Sequence, residues 1–390
     1  MDASIIGWKH LTFGKREHDD AESMIVEAVR GALEDAEIEA KDIDRIFLGT
    51  LNAGMVYQDF PASLVLQADE AFRFKPATRV ENACATGSAA IHAGLAAIRA
   101  RDARIVLVVG VEKMTAVSAS AVGDLLMKAS YAKEERAQYD SFAGLFGQIA
   151  DQYFGRFGDQ SDPLARIAAK NHRNGAVNPF AHIRKDLGYE FCSTVSERNP
   201  LVVGPLRRTD CSPVSDGAAA IVLADTDTAA TRKKSVAFRA AVQVNDFLPM
   251  SRRDMTQLEG CSEAWRQALV EAAVNLDDLS LVETHDCFTI AELMQYEAMA
   301  LTAYGEGRRA IDEGWVEKTG RLPVNPSGGL KAKGHPVGAT GVSMHIMAAM
   351  QALGVAGDMQ IPGATLTGVF NMGGAGVANY ASILEAVRAS

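Results

Sequence analysis

The chain contains no run of about 18 or more consecutive apolar residues, the length a membrane-spanning helix needs, so no transmembrane helix is expected. Its first residues, "MDASIIGWKHLTFGKREHDD", lack a basic segment followed by a long apolar core, which argues against a secretory signal. The final "RAS" is not a usual peroxisomal address. Cysteine is sparse: five residues at scattered positions (84, 192, 211, 261, 287). An odd, irregular set does not suit a disulfide framework. With no CxxC or HxxxH pair present, a structural zinc site is not expected, and the metal expectation is none. Excess positive charge is missing too, since the net charge is -10. That balance disfavours nucleic acid and anionic membranes as partners, while leaving room for a small anion held by a local basic patch. The expected setting is a reducing cytoplasm.

What is present is a globular composition, with 48% hydrophobic residues and 23% charged, in 390 residues with a mean hydropathy of -0.01. That length accommodates two or three domains. "RIFLGTL" (45–51), "RIVLVVGV" (104–111) and "AAAIVLAD" (218–225) are continuous apolar runs of strand length, the pattern of strands buried on both faces in α/β layers. "AESMIVEAVRGALEDA" (21–36) and "CSEAWRQALVEAAVNL" (261–276) carry apolar residues at helical spacing.

Two segments look like copies of one unit. "CATGSAAIHAGLAAI" (84–98) and "HPVGATGVSMHIMAAM" (335–350) each begin with a reactive residue, place Gly three positions later and continue as a helix of small apolar residues. "DGAAAIVLA" (216–224) and "AGVANYASI" (375–383) form a second matching pair. The two pairs stand at different offsets, which requires an insertion in the first half. The irregular stretch at 117–209, rich in charge, Asn, Gly and Pro, is where it falls. The expectation is an α/β protein of two similar halves, residues 1–117 with 210–232 and residues 233–390, the first interrupted by a loop domain at 118–209.

Cys84 lies in "VENACATGSAA". An isolated cysteine is most often a small buried hydrophobe. Here it directly precedes an apolar helix, where free backbone N–H groups and the positive end of the dipole favour a thiolate. His335 lies in "NPSGGLKAKGHPVGATG", where Pro336 holds it out of helical geometry and can open the next helix. The glycines permit close backbone approach to a ligand, but the spacing is not that of a nucleotide P-loop. If the halves pack about a pseudo-twofold axis, the two helix starts bring imidazole to thiol. "GVFNMGGAGVANYAS" (368–382) offers backbone amides suited to an oxyanion, or an ordinary turn at a strand end. "THDCFT" (284–289) sets His285, Asp286 and Cys287 in a row, which by itself fits a metal site, a redox centre, catalysis or core packing.

Together "ENACATGSAAIHAG", "HDCF", "NPSGGLKAKGHPVGATG" and "NMGGAGVANY" resemble the four active-site loops of the thiolase family, and the HDCF form resembles the sterol-carrier-protein-2-type thiolases. The similarity spans nearly the whole chain. It implies the layered α-β-α-β-α thiolase fold and an acyl-CoA C-acyltransferase that needs coenzyme A as co-substrate and no permanently bound cofactor. It further implies that Cys84 is the acyl-accepting nucleophile and that His335 activates it. His285 completes the oxyanion hole for the enolate. The amides of Cys84 and Gly373 form the second oxyanion hole. Most thiolases carry CxG in the fourth loop, whose Cys is the second acid/base. Here Asn371-Met372-Gly373 stands instead, and Asn cannot exchange protons near neutral pH. In the HDCF subgroup that role passes to the Cys of the motif, which is Cys287 here, while Asp286 is structural. Thiolases are commonly dimers or tetramers, so a homo-oligomer is expected.

Two other readings compete. Cys84, His285 and His335 form the Cys-His-His set of decarboxylative ketoacyl synthases, which need no second thiol. A weakly catalytic acyl-CoA-binding subunit is the other, suggested by the missing CxG cysteine. The phosphates of CoA need cations, for which "RNGAVNPFAHIRK" (173–185) and "PLRR" (205–208) are candidates, solvated surface charge being the alternative. Cys192, Cys211, Cys261, His92 and His345 read as packing residues.

Overall fold

A computed structural model of the chain describes residues 3–387; the terminal "RAS" lies outside them. Among the described residues eleven strands run in chain order: β1 (Ala3–His10), β2 (Arg45–Gly49), β3 (Ala77–Val80), β4 (Ile105–Glu112), β5 (Leu201–Val203), β6 (Leu206–Arg207), β7 (Gly217–Asp225), β8 (Val236–Asn245), β9 (Leu281–Thr284), β10 (Leu366–Gly373) and β11 (Ala378–Ala386). Nine form one sheet in the order β3-β2-β4-β7-β1-β8-β11-β10-β9, and β5 pairs with β6 as a separate hairpin. The three apolar runs read as strands became β2, β4 and β7. Every residue of β4 is buried, and a fully buried Val or Leu contributes about 1.5–3 kcal/mol.

The duplication is visible in the pairing. In the first half β2 and β4 are parallel, β4 and β7 antiparallel, and β7 and β1 antiparallel. In the second half β9 and β10 are parallel, β10 and β11 antiparallel, and β11 and β8 antiparallel. The place of β3 is taken by a single parallel bridge, Val282 to Val324. The halves meet where β1 pairs β8 through Ser4–Ala237 and Ile5–Val236. The step from β10 to β11 is a turn at 374–377. The matching step from β4 to β7 runs from 113 to 216 and carries the helices Ala119–Leu126, Phe142–Phe157, Ser161–Ala176 and Gly188–Ser193.

The helix Ala21–Ala36 covers the outer face of the first half, packing on β1 and β7. It buries Met24, Ile25, Ala28, Val29, Ala32 and Leu33 along one stripe. Asp20 and Ser23 form a reciprocal capping box at its start, an arrangement contributing about 1 kcal/mol. Glu259–Ala272 covers the outer face of the second half, on β8 and β11, and stops short of 276 because Ala273 turns left-handed (φ 53°). Between the two halves of the nine-stranded sheet lie Thr86–Arg99 and Thr340–Ala352, packed on each other. The result is the five-layer α-β-α-β-α order.

The central helices touch through backbone. A Cβ on Gly341 would sit 2.2 Å from the Ser88 nitrogen, and one on Gly87 would sit 2.7 Å from the Val342 nitrogen. Only glycine permits that approach, and it is what brings the chain just before each helix to one place.

Candidate active site

The strands β2, β3, β4, β9 and β10 are mutually parallel within their halves, and the reactive residues sit beyond their carboxyl ends, the usual ligand end of such sheets. Cys84 follows β3, His285 and Cys287 follow β9, and Asn371 lies within β10. His335 follows the short helix Gly329–Lys333. Cys84 and His335 both precede their helices, as the sequence reading has it, but the second helix does not open at Pro336. The first helix starts at Thr86 with Ala85 as its cap. Ala83, immediately before Cys84, is left-handed (φ 50°), a conformation that costs a non-glycine residue of order 1 kcal/mol. The second helix starts only at Thr340, because Pro336–Ala339 form a turn in which the Ala339 and Thr340 amides donate to the Pro336 carbonyl at 2.9 and 3.0 Å.

Cys84, His285 and His335 converge, with their reactive atoms all within 4.8 Å of one another. The two imidazoles meet edge to face, centroids 5.0 Å apart. Asn371 organises the cluster. Its Nδ2 donates to the Cys84 carbonyl oxygen at 3.2 Å and to His285 Nδ1 at 2.9 Å, while its Oδ1 accepts from Ser88 Oγ at 2.8 Å. A carbonyl can only accept, so the amide must present its NH2 group to His285. His285 Nδ1 is then the acceptor, and the ring proton sits on Nε2. His335 Nδ1 lies 3.4 Å from Ser212 Oγ. The Nε2 atoms of both histidines are buried without a partner among the described residues, two unsatisfied groups left to address the thiol or whatever it carries.

The same three atoms are donors that could also take a soft divalent cation. Attack of a thiol on a thioester requires none.

Burial governs the protonation states. It pushes the Cys84 thiol up to about 12, against the lowering effect of the Gly374 amide. It lowers His335 to about 3, with Lys333 assisting, and His285 well below its ordinary value, with His335 assisting. At neutral pH the resting pair is therefore neutral thiol and neutral imidazole, not the thiolate that the helix-dipole argument favoured. Desolvation outweighs the dipole because Cys84 lies before the helix and away from water. Among backbone groups the Gly374 amide lowers the thiol most, followed by the amide of Cys84 itself. Gly373 closes β10 in register with Ala378, and a Cβ on it would sit 2.5 Å from the Asn82 carbonyl oxygen.

Cys287 shares a chamber with Cys84 and His335. The walls are Leu51, Met114, Val122, Phe146, Phe288 and Val337, largely apolar, around about 200 Å³. Phe146, from the 113–216 connection, stacks on Phe288 with centroids 4.5 Å apart, so that connection roofs the site. Burial pushes the Cys287 thiol well up, and Cys84 adds to it.

Among the supporting residues, Glu112, Lys170, Glu292 and Asn325 carried no sequence signal strong enough to single them out. Glu112, at the end of β4, accepts from Thr50 Oγ1 and from the amides of Leu51, Asn52 and Gly338 at 2.8–2.9 Å, tying the loop after His335 to the first half. Asp286 accepts from the Leu330 and Lys331 amides at 2.6 and 3.1 Å and from Asn171 Nδ2 at 2.8 Å. A Cβ on Gly329 (φ 58°) would strike that carboxylate at 2.2 Å. Burial, then Glu292, raises Asp286 to about 7. Lys170 and Asn325 complete the network around Glu292 at 2.7 and 2.9 Å. "KNHRNG" thus braces two catalytic loops from below. Of the basic candidates, Arg207 is a structural residue. It pairs with Asp210 at 2.9 Å and donates to the Ser161 and Ser193 carbonyls. Cys261 donates to Asn379 Oδ1 at 3.1 Å, and His345 bridges the Gly341 carbonyl and Ser382 Oγ at 2.7 and 3.0 Å.

Comparison with known proteins agrees with this architecture. Residues 4–187 match the thiolase N-terminal domain and residues 242–386 the thiolase C-terminal domain-like family. The chain is 36% identical to the acetyl-CoA acetyltransferase of Methanothermobacter thermautotrophicus, over 96% of this chain and 97% of that one. It is 30% identical to sterol carrier protein 2 of Oryctolagus cuniculus, over 95% of this chain and 69% of that protein. Among solved structures, the Ltp2-ChsH2(DUF35) aldolase superposes with a TM-score of 0.85 at 22% identity, covering 99% of this chain and 98% of its own; at that identity the likeness is one of fold. With a 36% identical relative matched over nearly the whole of both chains, and both halves recognised, the chain belongs to the thiolase family.

Proposed function

We propose that the protein is an acetyl-CoA C-acyltransferase that interconverts a 3-ketoacyl-CoA plus CoA with a shortened acyl-CoA plus acetyl-CoA through an acyl-Cys84 intermediate. The observation that carries this reading is the second thiol. Cys287 lines the same chamber as Cys84, where a reaction that makes or breaks a carbon–carbon bond needs a proton carrier besides the nucleophile.

In cleavage, Cys84 Sγ attacks the 3-keto carbon as its proton passes to His335 Nε2. The amides of Gly374 and Cys84 hold the oxyanion. Collapse of the adduct breaks the bond between carbons 2 and 3, leaving an acyl thioester on Cys84 and the enolate of acetyl-CoA. His285 Nε2–H, held in that tautomer by Asn371, donates to the enolate oxygen. The Cys287 thiol delivers its proton to carbon 2, and acetyl-CoA leaves. The Cys287 thiolate then takes the proton of incoming CoA, whose sulfur attacks the acyl group. The tetrahedral adduct collapses and expels Cys84 sulfur, which recovers the proton from His335. Each residue ends as it began. The resting protonated state of Cys287 is the one this direction starts from.

The decarboxylative synthase reading gives Cys287 nothing to do, and a binding subunit has no use for two unpartnered Nε2 atoms. CoA is a co-substrate here, and the chamber suits an apolar acyl group of modest size. We further propose a cytoplasmic homo-oligomer. The edge of β3 is free in the sheet order, and Tyr57, Phe60 and Phe74 are exposed large hydrophobics in the chain leading to it, a combination that proteins usually cover. No helix among the described residues is long and apolar enough to cross a membrane. The test is CoA-dependent cleavage of a panel of 3-ketoacyl-CoA substrates of graded length, with light scattering for the assembly. Absence of cleavage across the panel by a folded protein overturns the reading.

A further inference from the structure

A second cavity lies behind the Cys211–Val214 segment. Cys211, Ser212, Pro213 and Val214 border both it and the Cys84 chamber. It encloses about 640 Å³ and is lined also by His172, Arg198, Arg208 and Lys331. The Cys211–Val214 segment is therefore the partition, and within it Ser212 Oγ lies 3.4 Å from His335 Nδ1.

What sets this cavity apart is unpaired polar groups at its base. Lys331 is 3% exposed, and its amide donates to Asp286, but its ammonium has no hydrogen-bond or ion-pair partner among the described residues. His172 is 1% exposed, and both its ring nitrogens are buried without a partner. The nearby carboxylates are engaged elsewhere: Asp210 with Arg207 and Thr289, Asp286 with two amides and Asn171. Arg198 and Arg208 are exposed at the rim, opposite a single acid, Glu197. An uncompensated buried ammonium is costly, and burial lowers the Lys331 pKa accordingly. Lys333, two residues on, shows the alternative: its ammonium donates to Ser343 Oγ at 2.8 Å.

We propose that this cavity is an anion site, separate from the acyl chamber, that takes a small oxyanion (a carboxylate or a phosphate) against Lys331, with the two arginines steering it in. The oxyanion supplies the missing acceptor and converts an unpaired buried charge into a charge-assisted pair. Its source is either the acidic end of a substrate that reaches past Ser212 or a free anion.

The site can be tested without turnover, so its failure is distinct from failure of the thiolase reading. Inorganic phosphate and glutarate, each titrated at constant ionic strength, should raise the melting temperature of the wild type by about 2–4 °C near saturation. They should leave Lys331→Met unmoved. Lys331→Met keeps the side-chain length, and its own far-ultraviolet spectrum and melting point report whether it folds. If it does not fold, Arg208→Gln, at the exposed rim, must weaken the anion response instead. Equal stabilisation of wild type and variant by both anions, or none in either, overturns the proposal. Cys84 acylation by glutaryl-CoA against pentanoyl-CoA separates the sources. A roughly 10- to 100-fold loss confined to glutaryl-CoA in Lys331→Met assigns the oxyanion to the substrate. Equal rates with the phosphate response intact assign it to a free anion, and either result supports the site.

Discussion

Asn371 Nδ2 stands 2.9 Å from His285 Nδ1 and, through the same NH2 group, 3.2 Å from the Cys84 carbonyl oxygen. The residue that replaces the usual fourth-loop cysteine thus exchanges no proton. It determines which nitrogen of His285 carries one, and it does so by grasping the backbone of the nucleophile.

Asn371→Asp tests that relationship. A carboxylate at this place accepts from Nδ1 and draws the ring proton there, leaving Nε2 bare toward the enolate. Condensation and cleavage should fall by roughly 10²–10³-fold, the scale of losing one oxyanion donor. Acetylation of Cys84, which relies on the Gly374 and Cys84 amides, should fall far less. Parallel loss of both in stopped-flow and mass measurements would show that Asn371 acts mainly on the loop geometry.

Cys84 should be the sole site of acetylation by acetyl-CoA, seen as an acetyl mass on its tryptic peptide, and Cys84→Ala should abolish both label and turnover. An acetyl group on Cys287 or Cys211 instead, with Cys84 unmodified, rules out the assignment.

The buried neutral pair predicts an unusual pH profile. With Cys84 near 12, the thiolate fraction rises about tenfold per pH unit across the neutral and alkaline range. Alkylation by iodoacetamide should follow it without levelling below about pH 10. A plateau near pH 8 would mean a solvated thiol.

Cys287→Ala should separate two chemistries. Acylation of Cys84 needs no proton transfer at carbon and should stay near normal. Cleavage, condensation and deuterium exchange at the α-carbon of acetyl-CoA should drop together by roughly 10²–10⁴-fold. Retained cleavage would move the acid/base elsewhere and leave Cys287 a buried thiol.

Buried histidines predict acid lability. His10 and His92 are lowered by burial to about 3 and His345 to about 4. Depressed folded values mean the unfolded chain binds protons first. Their contribution is therefore complete above the ordinary histidine pKa of about 6.5 and is lost as pH falls toward 4 and 3. The melting temperature should decline from about pH 6.5 downward, and less steeply in His345→Gln, which keeps polar contacts to Gly341 and Ser382 but cannot titrate. An unchanged slope in that variant would place the lability in other groups.

Much of this was readable before any coordinates. Apolar runs of strand length declared β2, β4 and β7, because strands covered on both faces have no reason to alternate. The repeated small-residue helices declared the duplication, because only glycine at 87 and 341 lets the two helix backbones touch. Four loop motifs in order declared the family and marked Cys84, His285, Cys287 and His335 as its candidate reactive set. Those are properties of local pattern and order along the chain.

Tertiary structure decided the rest, since electrostatics and hydrogen bonding depend on neighbours that sequence distance hides. Whether Cys84 rests as thiol or thiolate is a contest between a helix end and desolvation, and only the depth of burial settles it in favour of thiol. The Gly374 amide reaches the Cys84 thiol because the turn that follows β10 comes against the loop before the first central helix. Asn371 became a tautomer-setting donor, Arg207 a structural ion pair and Lys331 a lone buried charge for the same reason. Each partner comes from an element far away in sequence or from a turn whose geometry the sequence does not spell out.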